Sequence, residues 1–278
     1  MRPALHCPVE AEIILRKQES PSIVSLTVRL TDSAYAERYT FKPGQFNMLY
    51  LYGVGEIPVS ISSDPQDHGT LTHTIRSVGR VSGGLTRLGV GDRIGLRGPY
   101  GRGWPLHDLD NSNLVIITGG LGCAPVVPVI DYVIRRRDRF GQLIIMQGVK
   151  HSDDLIWRER YNAWAEQPHT RVLLAADVGG KHWNGVVGPV TELFDQAQLP
   201  TQNSAAFLCG PEPMIRACVN RLLEEGMPAD SIWISMERNM QCALGQCGHC
   251  QYGDTFICKD GPVFSYAEIR HLFGVKGF

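Results

Sequence analysis

The sequence has no apolar run approaching the roughly 18 residues that a membrane-spanning helix needs, so no span is expected. Its first residues, Met1-Arg2-Pro3-Ala4-Leu5-His6-Cys7, lack the apolar stretch of a secretory leader. Glu10 and Glu12 follow closely, and a cytoplasmic location is expected. Charge of one sign is also missing: 27 basic residues stand against 28 acidic ones, a net of −1. That balance excludes a general attraction to nucleic acid or to an acidic membrane surface. The short run Arg135-Arg136-Arg137 reads as a solvated helix end. There is no internal repeat and no low-complexity segment. Cysteine, by contrast, is plentiful, with eight residues. In a reducing compartment they read as metal ligands or buried thiols rather than disulfides.

A chain of 278 residues exceeds one small core and suits two domains with an appendage. Up to about Leu106 the chain is rich in β-branched residues and turn glycines. Ala11–Leu15, Ile23–Val28, Asn47–Tyr52 and Thr72–Val78 read as short strands of a barrel or sandwich. From Asn113 the pattern changes to continuous apolar runs, as in parallel strands buried on both faces: Leu114–Ile117, Leu143–Met146, Arg171–Ala175 and Ala205–Leu208. Helix-like stretches separate them, which argues for an open parallel α/β sheet. The segment from Met236 onward is too short for a core of its own, and a metal centre would be a reasonable staple for it. The expected domains are 1–108, 109–235 and 236–278.

The last segment carries Cys242-x4-Cys247-x2-Cys250-x7-Cys258. The first three spacings match the plant-type pattern for a 2Fe–2S cluster. Such a cluster needs four thiolates wrapped round one small object, and Gly245 and Gly248 allow the backbone to approach it. Zinc also accepts four thiolates, but more often through two C-x2-C knuckles, and only one is present. His249 reads as a neighbour of the site rather than a ligand.

A glycine turn, Thr118-Gly119-Gly120-Leu121-Gly122-Cys123-Ala124-Pro125, follows the first apolar strand. It would let the backbone approach a pyrophosphate, with the next helix offering its positive N-terminus. The spacing is not G-x-G-x-x-G, and glycine turns also serve packing alone. A second strand ends in Cys209-Gly210-Pro211, so Cys209 falls at the sheet edge where α/β proteins bind ligands. Cys123 and Cys209 could equally be small buried thiols.

Phe41-x-Pro43-Gly44-Gln45-Phe46, Pro58-Val59-Ser60-Ile61-Ser62, Gly91-Asp92, Gly98-Pro99-Tyr100-Gly101, the Gly119-Gly120-x-Gly122 loop and Cys209-Gly210-Pro211 occur in that order. As an ordered set they resemble the ferredoxin–NADP reductase superfamily over essentially the whole chain. With the cysteine segment, the likeness is greatest to the branch holding three kinds of protein. These are the gamma (diaphorase) subunit of cytosolic nickel–iron hydrogenases, the corresponding component of anaerobic sulfite reductase and the electron-transfer subunit of dihydroorotate dehydrogenase.

That resemblance implies an N-terminal FAD-binding β-barrel, an α/β domain for NAD or NADP, and a small 2Fe–2S subdomain. It implies that Pro58, Val59 and Ser60 lie along the isoalloxazine, with Ser60 near N5. Ile75, Arg76 and Ser77 would line the ribityl and adenine side, and Gly79, Ser82 and Gly83 would approach the flavin pyrophosphate. Gly119, Gly120, Gly122, Ala124, Pro125, Gly210 and Pro211 fall to the nicotinamide, with Cys209 beside its reactive ring. Many members carry Arg-x-Tyr-Ser where this chain has Ile57-Pro58-Val59-Ser60, so Arg76 or Arg80 is expected to supply the missing charge. The expected activity is electron transfer between NAD(P)H, FAD and the cluster for a catalytic partner in a hetero-oligomer, with a nickel–iron hydrogenase favoured. The sulfite reductase and dihydroorotate systems remain alternatives, and so does a non-catalytic flavin sensor or zinc scaffold. For the nicotinamide's 2′ position, Lys150, Arg158 and Arg160 favour a phosphate and Asp153 and Asp154 a free ribose, which leaves NAD and NADP both open.

Overall fold

The computed structural model describes residues 6–67, 69–273 and 275. The first five residues, where a leader would begin, lie outside these. The chain forms two compact units, one of residues 1–103 and 237–262, the other of residues 104–236 and 263–278.

The first unit is an antiparallel sheet of six strands: β1 (Val9–Ser20), β2 (Ile23–Leu30), β3 (Phe46–Leu51), β4 (Gly55–Ser60), β5 (Leu71–Arg76) and β6 (Arg93–Tyr100). Their order is β4-β3-β6-β1-β2-β5. The two outer strands are tied together just past the end of β4, where the Ser62 amide donates to the Thr72 carbonyl at 2.8 Å. Period-two alternation drives the curl. Ala11 and Ile13, Leu26 and Val28, and Ile94 and Leu96 turn inward and are fully buried. The four expected strands are present. β4 and β6 are further strands, and Pro58 is an unusual residue within one. It is tolerated because β4 is terminal in the order and needs no ladder hydrogen bond on its outer side. A short helix, α1 (Arg80–Leu85), packs against β3, β4 and β5.

The second unit is built on β7 (Asn113–Gly119), α2 (Val127–Ile134), β8 (Leu143–His151), α3 (Arg158–Ala165), β9 (Thr170–Val178), β10 (Val186–Val187), β11 (Ser204–Cys209), α4 (Glu212–Glu224) and β12 (Ile232–Ser235). The sheet order is β10-β9-β8-β7-β11-β12, followed by the strand Val263–Ser265. The pairs among β7 to β12 are parallel, but Val263–Ser265 runs antiparallel to β12. The open parallel sheet expected from the sequence is present, and the chain beyond the cysteines adds an antiparallel strand at its edge. The apolar runs sit where their composition demands: Val115, Ile116, Ile117, Leu143, Ile144, Ala206, Phe207 and Leu208 are all fully buried.

The expected boundaries, 1–108, 109–235 and 236–278, differ from these units. The cysteine segment belongs to the first unit rather than standing alone, and Val263 onward joins the second through its strand pairing with β12. A segment with so little apolar surface gains stability by packing on an existing core. Among the described residues no helix is long and apolar enough to cross a membrane.

Candidate functional site

Cys242, Cys247 and Cys250 lie on irregular backbone, and Cys258 on a single helical turn, Ile257–Asp260. The loop turns back on itself through positive φ at Ala243, Gly245 and Gly248. Gly245 has a second reason to be glycine: a Cβ there would come within 2.9 Å of Lys259 Cδ. The turn aims backbone N–H groups at sulfur. Leu244 and Gln246 both donate to Cys242 Sγ at 3.3 Å, Gly245 donates to Cys258 Sγ at 3.2 Å, and Cys258 donates to Cys250 Sγ at 3.5 Å. Burial pushes the Cys242 thiol up, but the amides of Leu244, Gln246 and Cys247 outweigh it and bring the pKa down to about 6. Cys258 goes the other way, to about 12, through burial and then the Cys250 thiol.

The donor set fits a two-iron cluster. Four thiolate donors on one short loop are the ligand set of such a cluster, and amides that bond the sulfurs are a means of tuning its potential. His249 is exposed.

The two glycine elements of the second unit come together. β7 and β11 are adjacent parallel strands, with Thr118 opposite Cys209, and the sheet order reverses direction between them. Such a switch point is where open α/β sheets bind ligands. The two turns press on each other closely enough to demand glycine. A Cβ on Gly122 would overlap the Cys209 carbonyl, and one on Gly210, whose φ is +155°, would meet Met214 Cε at 2.8 Å. Cys209 is buried at the strand end, as are Ala124 and Pro125, while Gly120 and Gly210 are half-buried and Pro211 is exposed.

One expectation here is corrected. The glycine turn continues as a 3-10 turn, Gly120–Cys123, and α2 begins only at Val127. Pro125 and Pro128 lack the N–H donors that would carry an α-helix back into the turn. Of the basic candidates for a 2′-phosphate, Arg160 is taken by Asp131, and Arg158 donates to the Ser152 carbonyl; Lys150 is exposed. Asp154 accepts the His151 amide at 3.1 Å.

Sequence reasoning missed what lies beneath this turn. Gln147, 1% exposed, uses its full hydrogen-bonding capacity. Its Nε2 donates to the carbonyls of Gly120 at 3.1 Å and Gly148 at 2.9 Å. Its Oε1 accepts from the hydroxyls of Thr118 and of Tyr161, the latter at 3.0 Å. The signal was available, since a glutamine closing the run Leu143-Ile144-Ile145-Met146 must be satisfied where it is buried.

In the first unit, Val59 is buried, and Pro58 and Ser60 are half-buried, along the end of β4. The Ser60 carbonyl accepts from Nδ1 of His73 at 3.0 Å. His73 is fully buried, its Nε2 faces Asn47 Nδ2 at 3.3 Å, and Asn47 Oδ1 accepts from the Tyr39 hydroxyl at 2.5 Å. These hydrogen bonds together assign the proton to Nδ1. Burial lowers the His73 pKa to about 4, against the backbone bonds to Ser60 and Val59, so the ring is neutral at pH 7.

Ile75 is buried, whereas Arg76, Ser77, Gly79 and Arg80 are exposed. Ser82 Oγ accepts the amides of Val78 at 3.1 Å and Gly79 at 2.9 Å, and a Cβ on Gly83 would stand 3.3 Å from Ser77 Oγ. The amides of the first turn of α1 have no carbonyl one turn back inside the helix and suit an anion. β4, the end of β5 and α1 thus bring the expected flavin residues into one unit. Glu237, raised by burial, is opposed by the charge of Arg76.

Residues 116–220 match the oxidoreductase NAD-binding domain family, and residues 237–270 the iron–sulfur cluster binding domain of dihydroorotate dehydrogenase B. The sulfhydrogenase 1 gamma subunit of Pyrococcus furiosus is 35% identical over 87% of this chain and 85% of its own. A probable dihydroorotate dehydrogenase B (NAD+) electron-transfer subunit of Thermoplasma acidophilum is 30% identical over 84% of each chain. Among solved structures, the NADH-dependent reduced ferredoxin–NADP oxidoreductase superposes with a TM-score of 0.76 at 23% identity, over 93% of this chain and 88% of that one, a likeness of fold.

Proposed function

Since the chain belongs to the family of sulfhydrogenase gamma subunits and dihydroorotate dehydrogenase electron-transfer subunits, we propose that it exchanges electrons between NAD(P)H, FAD and a 2Fe–2S cluster for a hydrogenase partner in the cytoplasm. The observation that carries this reading is the cysteine loop, with its sulfur-directed amides, in the same unit as the flavin strand. When bound, a flavin accepts two electrons together from a nicotinamide and releases them singly to an iron–sulfur centre, so it is the group that joins the other two.

The chain's residues divide that work. Pro58, Val59 and Ser60 flank the flavin ring, with Ser60 held at its carbonyl by His73. Ile75, Arg76, Ser77, Gly79, Ser82 and Gly83 receive the rest of the FAD. The turn Gly119-Gly120-x-Gly122, with Ala124, Pro125, Gly210 and Pro211, receives the nicotinamide cofactor, and Cys209 marks the end of the strand beside it. Cys242, Cys247, Cys250 and Cys258 would ligate the cluster.

A hydrogenase partner is favoured by the higher identity to the sulfhydrogenase subunit, 35% against 30%. A dihydroorotate dehydrogenase partner is the second reading, supported by the match of residues 237–270. Metal and flavin analysis of anaerobically purified protein tests the proposal, together with diaphorase assays using an artificial acceptor. Iron, sulfide and FAD with NAD(P)H-driven dye reduction are expected. Zinc in place of iron, or a flavin-loaded sample without diaphorase activity, would favour a scaffold or sensor. Affinity capture of the tagged chain from its native cells, followed by partner identification, separates the two catalytic assemblies.

A further inference from the structure

Outside the residues assigned so far, one buried charged group has every donor committed. Arg97 on β6 is 6% exposed. Its Nε and one Nη grip the Glu56 carboxylate at 2.7 and 2.5 Å. The other Nη donates to the Tyr100 hydroxyl at 3.0 Å and to the Cys242 carbonyl at 2.9 Å, and the first reaches the Gln241 carbonyl at 3.2 Å. The five N–H groups of a guanidinium are thereby all used. Glu56 lies on β4, the strand that continues into Pro58, Val59 and Ser60. Gln241 and Cys242 open the cysteine loop. One planar fork therefore spans three points: the flavin strand, β6 and the first cysteine. Arg97, Glu56 and Cys242 also line one cleft of about 450 Å³.

We propose that Arg97 and Glu56 form a clamp that registers the cysteine loop against the flavin strand and sets the reduction potential of the cluster held there. This rests on the reading of the four cysteines as cluster ligands. The geometric half follows from the bidentate fork, which a lysine cannot reproduce. The electrostatic half follows from sign. Reduction of a cluster adds one electron and no positive charge, so a cation fixed to the Cys242 carbonyl favours the reduced form. The Glu56 carboxylate opposes that effect. Removing either partner leaves the other uncompensated: the guanidinium is nearly buried, and the carboxylate, about a quarter exposed, is only partly screened by water. The two partners therefore pull the potential in opposite directions. A purely structural clamp would move it the same way from both sides, or not at all.

The test is an EPR-monitored redox titration of the full-length, cluster- and FAD-loaded chain with Glu56→Gln, Arg97→Gln and Arg97→Lys. Glu56→Gln is expected to shift the reduction equilibrium about threefold or more toward the reduced cluster, and Arg97→Gln by a similar factor toward the oxidised one. A tenfold shift is about 59 mV for one electron. Arg97→Lys, which keeps the charge without the fork, should stay near the wild-type potential but lose iron faster during dilution. Shifts of one sign in both glutamine variants overturn the proposal, as does a wild-type potential in both. If Arg97→Gln cannot hold a cluster, Glu56→Gln decides: a shift toward reduction supports the clamp, and no shift or the reverse overturns it. A wild-type chain that holds no iron defeats the cluster assignment itself, and that result is distinct from the others.

Discussion

At the scale of single residues, His73 ties stability to pH. Its pKa is about 4 in the folded barrel, below the ordinary histidine value near 6.5, because burial disfavours the charged ring. The unfolded chain then binds a proton that the folded chain refuses between those two values. Stability is complete above about pH 6.5, falls as the pH drops, and stops falling near pH 4, where the folded ring protonates as well. Between pH 7 and pH 5 the loss is roughly 2 kcal/mol. Denaturant unfolding should record it in the wild type, and His73→Gln should flatten that part of the pH profile. An equal slope in both would remove the role assigned to the ring. The position was readable in part: Leu71, His73 and Ile75 share one face of a strand by period two, so an inward histidine could be inferred. Its partners could not, since Asn47 is 26 residues away in sequence.

Two other residues address the missing phosphate arginine. Arg76→Ala and Arg80→Ala are each expected to weaken FAD retention about tenfold, the value of one charge-assisted hydrogen bond. Dialysis followed by flavin fluorescence measures it. Unchanged retention in both would leave the phosphates to backbone amides.

At the scale of elements, the glycine turn after β7 is specified from both sides. Gly122→Ala would drive a methyl into the Cys209 carbonyl, which is backbone and cannot swing aside. The KM for NAD(P)H should rise about tenfold or more while FAD content stays constant, because displacing a positioned turn by a fraction of an ångström acts on binding first. A wild-type KM would show the turn has room to spare. Gln147→Leu would take a partner from the Gly120 and Gly148 carbonyls and from the Thr118 and Tyr161 hydroxyls at once, at about 2 to 4 kcal/mol, a drop of several degrees in thermal unfolding. The strands β7, β8, β9 and β11 were legible because continuous apolar runs have few other uses in a chain of ordinary composition. β4 was hidden by its proline. β10 and Val263–Ser265 are too short to carry a period. The late start of α2 turned on prolines that a generic strand–turn–helix expectation overlooks.

For the whole molecule, the chain crosses from the second unit to the first after Met236 and returns after Pro262. The cysteine spacing was the clearest statement in the sequence, because short gaps between ligands leave little freedom in how they converge. That the segment belongs with the flavin strand could not be read. It depends on Arg97 reaching a backbone carbonyl 145 residues away, which no local pattern encodes.

The central claim is a path from nicotinamide through flavin to the cluster within one chain. The measurement that bears on it most directly is the EPR spectrum of anaerobic, as-purified protein, recorded before and after one equivalent of NADH or NADPH. The expected result is a reduced 2Fe–2S signal that appears with the nicotinamide as the flavin absorbance bleaches. Flavin that bleaches while the spectrum stays silent, in protein that contains iron, would contradict the path.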